Sequence, residues 1–419
     1  MPESEKAILV GVTWTGPGGR LSEADLDELA ELARTAGAEV VGLLAPRRER
    51  PDPAYFIGHG KVIELAGEVE TRGAGLVIFD DELSPVQLRN LEERVGARVI
   101  DRTGLILDIF AQRARTREAK LQVELAQLEY LLPRLGGRGT ALSRLGGGIG
   151  TRGPGETKLE ADKQRLRRRI FELRRELQEV KAQRVLMRQP RVRRRVAAVA
   201  LVGYTNAGKS TLFNALTAGG VTAEDKLFAT LDPTVHRLAL PSKIEATLAD
   251  TVGFIRKLPH QLVAAFRATL EEVVEADLLL HVLDAAAADL PARSAAVHGV
   301  LSELGLGDRA VLPVLNKIDL LSPQALAAIC RAHPQAVAVS AMTGAGLGDL
   351  LAAMDGFFTA RRRRVRLRLP FSAAAVLSRL HDTGTILGRK YGADGVEVLA
   401  ELDAVEAERL RPYWMEEAE

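Results

Sequence analysis

The sequence of 419 residues is 47% hydrophobic and 27% charged with a formal net charge of +2, which excludes a wholly disordered chain and, at about 150 residues per domain, predicts about three folded units. Its single cysteine, Cys330, excludes an intramolecular disulfide framework and a cysteine-rich zinc site, and it favours a reducing compartment such as the cytoplasm. No apolar run approaches the roughly 20 residues that span a bilayer, and the N-terminus lacks the basic start of a signal peptide, so we expect no stable membrane insertion.

Residues 1–113 alternate between short apolar runs and helical patterns. Such alternation favours a parallel sheet covered by helices. Strands are predicted at 7–13, 38–44, 75–79 and 97–100, and helices at 23–36, 61–70 and 85–95. The segment Gly58-His59-Gly60-Lys61 could bind a phosphate at a helix start, but the pattern is a weak signal and we favour a plain turn from loop to helix.

Residues 114–195 differ from the rest of the chain in charge. Between residues 111 and 195 there are 23 lysines and arginines against 9 acids, a net charge of +14, and such a surface attracts polyanions. We predict a basic antiparallel helical hairpin, here called the arm, although a solvated charged helix has the same composition. The hairpin is favoured by apolar residues spaced alternately by four and three, which are Leu121, Leu125, Leu128, Leu132 and Leu135, then Leu166, Ile170, Leu173, Leu177 and Val180.

A glycine-rich loop at residues 136–155 interrupts the arm, with nine glycines and no acid. It cannot bury a core, so it is either a flexible spacer or a mobile basic tip. We favour an RNA-binding tip, because a spacer needs neither arginines nor a stiff support. Tyr130 and Phe171 are the only aromatic residues of the arm, so we expect recognition of phosphates and shape, and not base stacking. The predicted RNA contacts are Arg138, Arg144, Arg152 and Lys158.

A third unit is predicted at residues 196–360, where an apolar run leads into a glycine-rich loop and then a helical pattern. The loop, Gly203-Tyr204-Thr205-Asn206-Ala207-Gly208-Lys209-Ser210, has the G-x-x-x-x-G-K-S spacing of a phosphate-binding loop. Its backbone N–H groups and the following helix N-terminus would surround the phosphates. Lys209 would reach the β- and γ-phosphates, and the Ser210 hydroxyl would bind Mg²⁺.

Two later motifs indicate guanine. In Asn316-Lys317-Ile318-Asp319, the Asp319 carboxylate can accept hydrogen bonds from guanine N1–H and the 2-amino group, and adenine lacks both donors. Asn316 would brace the loop while the stem of Lys317 packs over the ring. Backbone N–H groups of Ser340-Ala341-Met342 would meet guanine O6.

Two segments between these motifs would sense the γ-phosphate. Asp250 would hold Mg²⁺ through a water, and the Gly253 N–H would contact the γ-phosphate. Thr230 would close over Mg²⁺ when GTP is bound, with Thr234 as the second choice. The predicted catalytic residues are therefore Lys209, Thr230, Asp250 and Gly253, and the predicted metal ligands are Ser210 and Thr230. The full predicted GTP site comprises Gly203, Tyr204, Thr205, Asn206, Ala207, Gly208, Lys209, Ser210, Thr211, Phe228, Ala229, Thr230, Asp250, Thr251, Val252, Gly253, Asn316, Lys317, Asp319, Ser340, Ala341 and Met342.

Four arginines at residues 361–364 mark the start of a small C-terminal α+β domain, 361–419. Strands are predicted at 365–369 and 396–401, and helices at 372–380 and from residue 404 onward. Nothing in this region of the sequence indicates a function.

The motifs G-Y-T-N-A-G-K-S, F-A-T-L-D-P-T, D-T-V-G-F, N-K-I-D and S-A-M-T-G resemble the Ras-like translation-factor class of GTPases. The wider chain resembles the HflX family, through residues 55–61, 79–85, 101–104, 108–114 and 146–156. This resemblance implies a GTPase that binds the large ribosomal subunit and its rRNA, splits stalled or idle ribosomes, and directs its glycine-rich loop toward the peptidyl-transferase centre. Met342 stands where the family often has lysine, and His59 departs from the family's more usual Gly-Lys-Gly-Lys.

The sequence leaves a gap in the hydrolytic mechanism. Phe254 stands where Ras has a glutamine that orients the attacking water. We expect slow intrinsic hydrolysis that a ribosomal surface accelerates, while core packing that withdraws Phe254 is an equally good interpretation. We expect a monomer. Three alternatives stay open: a ribosome-assembly GTPase acting on precursor large subunits, a scaffold that binds GTP without hydrolysis, and an ATP-dependent RNA remodeller using residues 1–113.

Overall fold

A computed structural model of the chain describes residues 5–15, 23–135, 154–194, 196–217, 227–257, 270–373, 376–378, 380, 384–392 and 394–415. The first domain contains β1 (Lys6–Val10), β2 (Thr13–Trp14), α1 (Glu23–Thr35), β3 (Glu39–Leu44), β4 (Arg47–Arg48), α2 (His59–Arg72), β5 (Leu76–Phe79), α3 (Pro85–Val95) and β6 (Arg98–Asp101). Four strands form a parallel sheet in the order β3-β1-β5-β6, and β2 pairs with β4. The predicted parallel α/β fold is confirmed.

A further helix of this domain, α4 (Arg102–Arg113), was missed by the sequence analysis. It begins where the Asp101 carboxylate accepts a hydrogen bond from the Gly104 N–H at 2.9 Å, an N-cap arrangement. Its residues 105–107, 109 and 110 are all buried. Because the helix is buried on more than one side, it lacks the one-sided apolar period by which surface helices are identified.

The arm consists of α5 (Arg117–Leu131) and α6 (Pro154–Arg194). Two ion pairs show that the helices run antiparallel: Arg117 pairs with Glu176 at 3.8 Å, and Glu124, further along α5, pairs with the earlier Arg169 at 2.8 Å. A small apolar core around Leu121, Leu173 and Leu177 lies between them. The predicted hairpin is confirmed, although α6 includes the last two residues of the predicted loop, Pro154 and Gly155.

The third domain is built on a six-stranded sheet. Its elements are β7 (Ala197–Gly203), α7 (Lys209–Thr217), β8 (Thr234–Ala239), β9 (Glu245–Asp250), α8 (Glu271–Glu275), β10 (Leu278–Asp284), α9 (Leu290–Glu303), β11 (Val311–Asn316), α10 (Pro323–Ala332), β12 (Val337–Ala338) and α11 (Leu347–Ala360). The strand order is β12-β11-β10-β7-β9-β8, and only β8 runs antiparallel to its neighbour. The carboxyl ends of β7, β9 and β11 therefore meet at one edge, where open α/β sheets bind ligands.

The C-terminal domain has three antiparallel strands and a short helix. They are β13 (Arg362–Pro370), β14 (Thr385–Tyr391), β15 (Gly395–Asp403) and α12 (Ala404–Arg409), with strand order β13-β15-β14. The sequence analysis missed β14, an edge strand whose polar and basic residues hide the alternation typical of strands. The helix predicted at 372–380 falls partly outside the described residues.

One continuous apolar core joins the first and third domains. Phe110 of α4 packs edge-on against Phe228 with ring centroids 4.7 Å apart, and Leu231 and Phe254 belong to the same buried cluster. The segments predicted to sense the γ-phosphate thus lie against the first domain. Within the described residues, no helix combines the length and apolarity needed to cross a membrane.

Candidate nucleotide site

The glycine-rich loop connects β7 to α7 and surrounds an open cleft. Gly208 has a φ of 88°, which favours glycine. A Cβ at this position would lie 2.3 Å from Asn316 Nδ2, so the loop can approach Asn316 only with glycine here. Asn206 also has a left-handed backbone with φ of 59°, a conformation that asparagine adopts more readily than most residues.

The Lys209 side chain is buried and folds back across the loop. Its Nζ donates hydrogen bonds to the carbonyl oxygens of Tyr204 at 2.8 Å and Gly203 at 3.2 Å. Burial lowers the pKa of Lys209 to about 8, although the negative charge of Asp250 opposes this shift. A phosphate in the cleft would favour the charged form, so Lys209 is placed to respond to a bound nucleotide.

Three of the predicted residues meet beside the loop. Ser210 Oγ donates to Asp250 Oδ2 at 2.7 Å, and Thr230 Oγ1 donates to the same oxygen at 3.0 Å. The two hydroxyl oxygens are 2.9 Å apart. Burial raises the pKa of Asp250, while the hydrogen bond from Ser210 and the charge of Lys209 oppose that rise. Thr234, the second choice, lies instead in β8, opposite Asp250 in the antiparallel register.

Two buried oxygens near this cluster, Asp250 Oδ1 and Thr205 Oγ1, have no hydrogen-bond partner among the described residues. Buried polar atoms are rarely left unpaired, so such atoms at a cleft point to a bound group. Hydroxyl and carboxylate oxygens are the ligands that Mg²⁺ prefers. The oxygens of Ser210, Thr230 and Asp250 therefore fit a magnesium ion.

Gly253 lies so close to the loop that no larger residue fits. A Cβ at Gly253 would lie 2.7 Å from Thr205 Cγ2 and 2.9 Å from Lys209 Nζ. The next residue, Phe254, is buried in the core. Its backbone accepts a hydrogen bond from the Thr205 N–H at 2.7 Å and donates to Gly203 O at 3.1 Å. Of the two interpretations of Phe254, the structure has the one in which the phenyl ring is withdrawn.

Asn316 connects the phosphate loop to the residues predicted to bind guanine. Its Nδ2 donates to Ala207 O at 2.9 Å, and its Oδ1 accepts from the Ala341 N–H at 3.0 Å. Asn316 is itself buried. The predicted brace is thus present in the geometry, and it links the loop after β7 to the loop after β12.

The remaining guanine candidates lie near Asn316 and are more exposed. Asp319 is exposed and accepts a hydrogen bond from Ser340 Oγ at 2.5 Å. The Lys317 ammonium pairs with Asp284 at 2.8 Å, and Met342 projects into solvent. The N–H groups of Ser340 and Ala341 already bind acceptors within the protein, so any N–H contact to guanine O6 from this tripeptide would come from Met342.

The cleft is lined by residues predicted to contact the phosphates and by none of the guanine candidates. It is lined by Thr205, Asn206, Gly208, Lys209, Ser210, Thr211, Phe228, Ala229, Thr230, Thr251 and Gly253. Phe228 and Thr251 are buried, and the Thr251 hydroxyl donates to Leu201 O at 2.5 Å, which fixes the end of β9 against β7. Val252 is also buried.

The segment that carries Thr230 also touches the start of the arm, which the sequence analysis did not foresee. The Asp232 Oδ2 accepts hydrogen bonds at 3.0 Å from the backbone N–H groups of both Arg115 and Thr116. The Thr116 hydroxyl donates to Asp232 Oδ1 and accepts from the Ala119 N–H at 3.1 Å as the N-cap of α5. The segment that carries Thr230 is therefore joined through Asp232 to the start of the arm.

A group of charged residues also joins the first and third domains. The buried Arg102 pairs with Asp80 at 2.6 Å and with Glu28, and it donates to Arg256 O at 3.0 Å. The Tyr204 hydroxyl, from the phosphate loop, donates to Glu28 and accepts from the Arg256 N–H at 2.8 Å. Burial, followed by the negative charge of Glu28, raises the pKa of Tyr204. Asp80 and Arg102 lie in the family-like stretches 79–85 and 101–104, but of this group only Tyr204 was assigned to a site from the sequence.

The predicted RNA contacts cannot be placed in the same way. Arg138, Arg144 and Arg152 lie outside the described residues, and so does the side chain of Lys158 in α6.

The first domain, the arm and the third domain each match a known protein family. Residues 23–111 match the family described as GTP-binding GTPase N-terminal, residues 113–191 the GTP-binding GTPase middle region, and residues 198–317 the family described as 50S ribosome-binding GTPase. The chain is 48% identical to "GTPase HflX" of Caldanaerobacter subterraneus subsp. tengcongensis, over 98% of this chain and 94% of that protein. It is also 48% identical to "GTPase HflX" of Escherichia coli K12, over 91% and 89% of the two chains. A solved structure of SsGBP with GDP is 25% identical, with a TM-score of 0.48, over 85% of this chain and 99% of that chain.

Proposed function

Because this chain belongs to the HflX family of GTPases and is a GTP-hydrolysing enzyme, we propose that it binds the large ribosomal subunit in its GTP form and dissociates stalled or idle ribosomes. The similarity of residues 198–317 to a family of 50S ribosome-binding GTPases supports this partner. We assign the protein to the cytoplasm, where ribosomes lie, and expect it to act as a monomer.

The cleft residues take the following roles in this proposal. The loop 203–210 binds the phosphates through its backbone, and Lys209 contributes a positive charge next to them. Ser210 and Thr230 would bind Mg²⁺ directly, and Asp250 would hold it through a water. The ion would neutralise charge on the transferred phosphoryl group. Asp319 selects guanine by accepting its N–H hydrogen bonds.

The single observation that carries the proposed coupling is the contact between Asp232 and the first turn of the arm. Thr230, which meets Ser210 and Asp250, is only two residues away from Asp232. A nucleotide that orders Thr230 would therefore order Asp232, and Asp232 would hold the arm in one orientation. This is an order-disorder switch of the kind that γ-phosphate contacts produce in GTPases, and it would make the grip of the arm on rRNA depend on GTP.

The withdrawn Phe254 gives the proposal a kinetic consequence. Within the cleft as described, no residue occupies the place of a water-orienting glutamine, so intrinsic hydrolysis is slow. Contact with a ribosomal surface would move the segment 250–257 and complete the site. GTP turnover should therefore rise when purified large subunits are added, and equal rates with and without subunits would contradict this part of the proposal.

Ribosome dissociation itself is tested by light scattering and sucrose-gradient sedimentation of 70S ribosomes. The full-length protein with a non-hydrolysable GTP analogue should convert 70S particles into subunits, while the GDP form should not. Stronger binding to precursor large subunits than to mature ones would instead favour a role in ribosome assembly.

Replacing Arg138, Arg144 and Arg152 with alanine should weaken subunit binding and flatten its dependence on salt, because fewer phosphates are then neutralised.

A further inference from the structure

The outer face of α6 carries an aromatic residue where a charged one would be expected. Phe171 is 69% exposed, although burying a phenylalanine side chain contributes about 1.5–3 kcal/mol to stability. The other aromatic residue of the arm, Tyr130, is buried and donates its hydroxyl to Asp101 at 2.8 Å. Of the two, only Phe171 is therefore available to a partner.

The position of Phe171 on the helix excludes a role in the arm's own packing. The arm core uses Ile170, Leu173 and Leu177, which are all buried. At about 100° per residue, Phe171 points about 130° away from the mean direction of these three residues around α6. The residue contributes nothing to the contact with α5, and phenylalanine is also a weaker helix former than leucine or arginine.

Two exposed arginines flank Phe171 on the same face. Arg168 and Arg175 lie three residues before and four residues after it, a spacing that places all three side chains in one stripe. Arg168 forms no ion pair with any described side chain, and Arg175 makes only a long contact of 3.9 Å with the exposed Glu179. The nearby Arg169 and Arg174 are instead paired with Glu124 and Glu129 of α5. Two guanidinium groups thus remain on either side of the exposed ring.

We propose that this stripe, Arg168-Phe171-Arg175, is a docking surface for an unpaired RNA base, with the base stacked on Phe171 and the flanking phosphates held by the two arginines. The proposal rests on the proposed function, in which the arm faces rRNA. Sequence-tolerant binding of single-stranded nucleic acid combines positive groups along the backbone with aromatic rings under the bases. Paired RNA would not fit, because its bases are stacked inside the helix and proteins read it through its backbone. This proposal departs from the expectation, drawn from the scarcity of aromatic residues, that the arm recognises only phosphates and shape.

The test measures binding of the full-length protein to two fluorescent RNA hairpins that differ only in one bulged nucleotide. The wild-type protein should bind the bulged hairpin more tightly. Phe171→Ala should weaken that binding about 5- to 150-fold, the range for removing a stacked aromatic, without changing the salt slope. Phe171→Trp should retain the binding. Arg168→Ala combined with Arg175→Ala should reduce the slope of log K against log salt by about 1.4, since each contact to a single strand contributes about 0.7.

Phe371→Ala is the matched control, because Phe371 is 56% exposed but lies in the C-terminal domain; it should bind like wild type. Equal affinities of Phe171→Ala and wild type would overturn the proposal. Full rescue of binding by Phe171→Leu would also overturn it, because that would indicate an apolar protein contact.

The affinities of the variants for large ribosomal subunits should also be compared. Failure of the proposed function would appear as a wild-type protein that does not bind subunits, whereas failure of this inference would appear as a Phe171→Ala protein that binds them as tightly as wild type.

Discussion

Replacing Asp232 with alanine tests whether the nucleotide site controls the arm. The change removes three hydrogen bonds that the carboxylate accepts, from two backbone N–H groups and the Thr116 hydroxyl. A hydrogen bond to a charged group contributes about 1.5–3 kcal/mol, and a carboxylate at a helix N-terminus adds about 0.3–1 kcal/mol. Because these contacts are solvent-exposed, we take the loss as about 1–2 kcal/mol in all, equivalent to a factor of about 5–30.

The assay compares the affinity for large subunits in the GTP-analogue and GDP forms at one fixed salt concentration. If Asp232 links Thr230 to the arm, the ratio of the two affinities should fall by that factor in Asp232→Ala. The control is Asp355→Ala, because Asp355 also accepts from a backbone N–H and a hydroxyl, both of Ser242, at 3.2 and 2.5 Å. Asp355 lies in α11, away from Thr230. An unchanged ratio in Asp232→Ala, or an equal fall in Asp355→Ala, would show that Asp232 does not couple Thr230 to the arm.

Three further predictions concern single side chains. The buried Lys209 has a pKa of about 8, and a bound phosphate would keep it protonated, so GTP affinity should fall about fourfold between pH 7 and 8.5. Calorimetry measures this affinity together with the proton uptake on binding. A pH-independent affinity would contradict the role assigned to Lys209. Asp319→Asn should lower the affinity for GTP at least about 100-fold, because an acceptor facing guanine N–H groups becomes partly a donor. Xanthosine triphosphate should compete with GTP better in this variant than in wild type. Unchanged guanine selectivity would exclude Asp319 from base recognition. Burial, then the charges of His298 and Lys209, lowers the pKa of His281 to about 4, below its unfolded value of about 6.5. The free energy of unfolding should therefore drop by about 2–3 kcal/mol as the pH falls from 7 to 4.5, because the unfolded chain binds the proton more readily. The Tm of His281→Leu should fall less than that of wild type over this range.

The nucleotide site was the part of the molecule most accessible from the sequence. Its residues lie in short segments, 203–210, 250–253 and 316–319, and the parallel order of β7, β9 and β11 brings the ends of those segments together. Such a site can be predicted from local spacing because each segment forms its own loop, and the parallel strands place these loops at the same edge of the sheet. The sequence favoured Thr230 over Thr234, and the structure places Thr230 beside Ser210 and Asp250 while Thr234 lies in β8.

The helices of the arm could be predicted for a similar reason, since their apolar residues repeat with a helical period. That pattern indicates which side of a helix is buried, but not what an exposed residue faces. The sequence analysis noted Phe171 as an aromatic residue of the arm, but its exposure on the outer face could not be predicted, whereas the burial predicted for its neighbour Ile170 is confirmed.

The fold class, the phosphate loop and the helical hairpin could be predicted from the sequence, because each is encoded by residues close together in the chain. The contact between Glu28 and Tyr204, the hydrogen bond from the Thr116 N–H to Asp232, and the burial of Phe254 follow instead from the packing of the folded chain. Those partners are up to 176 residues apart. No local pattern records such a contact, because it arises from the packing of one domain against another and not from the conformational preference of either segment.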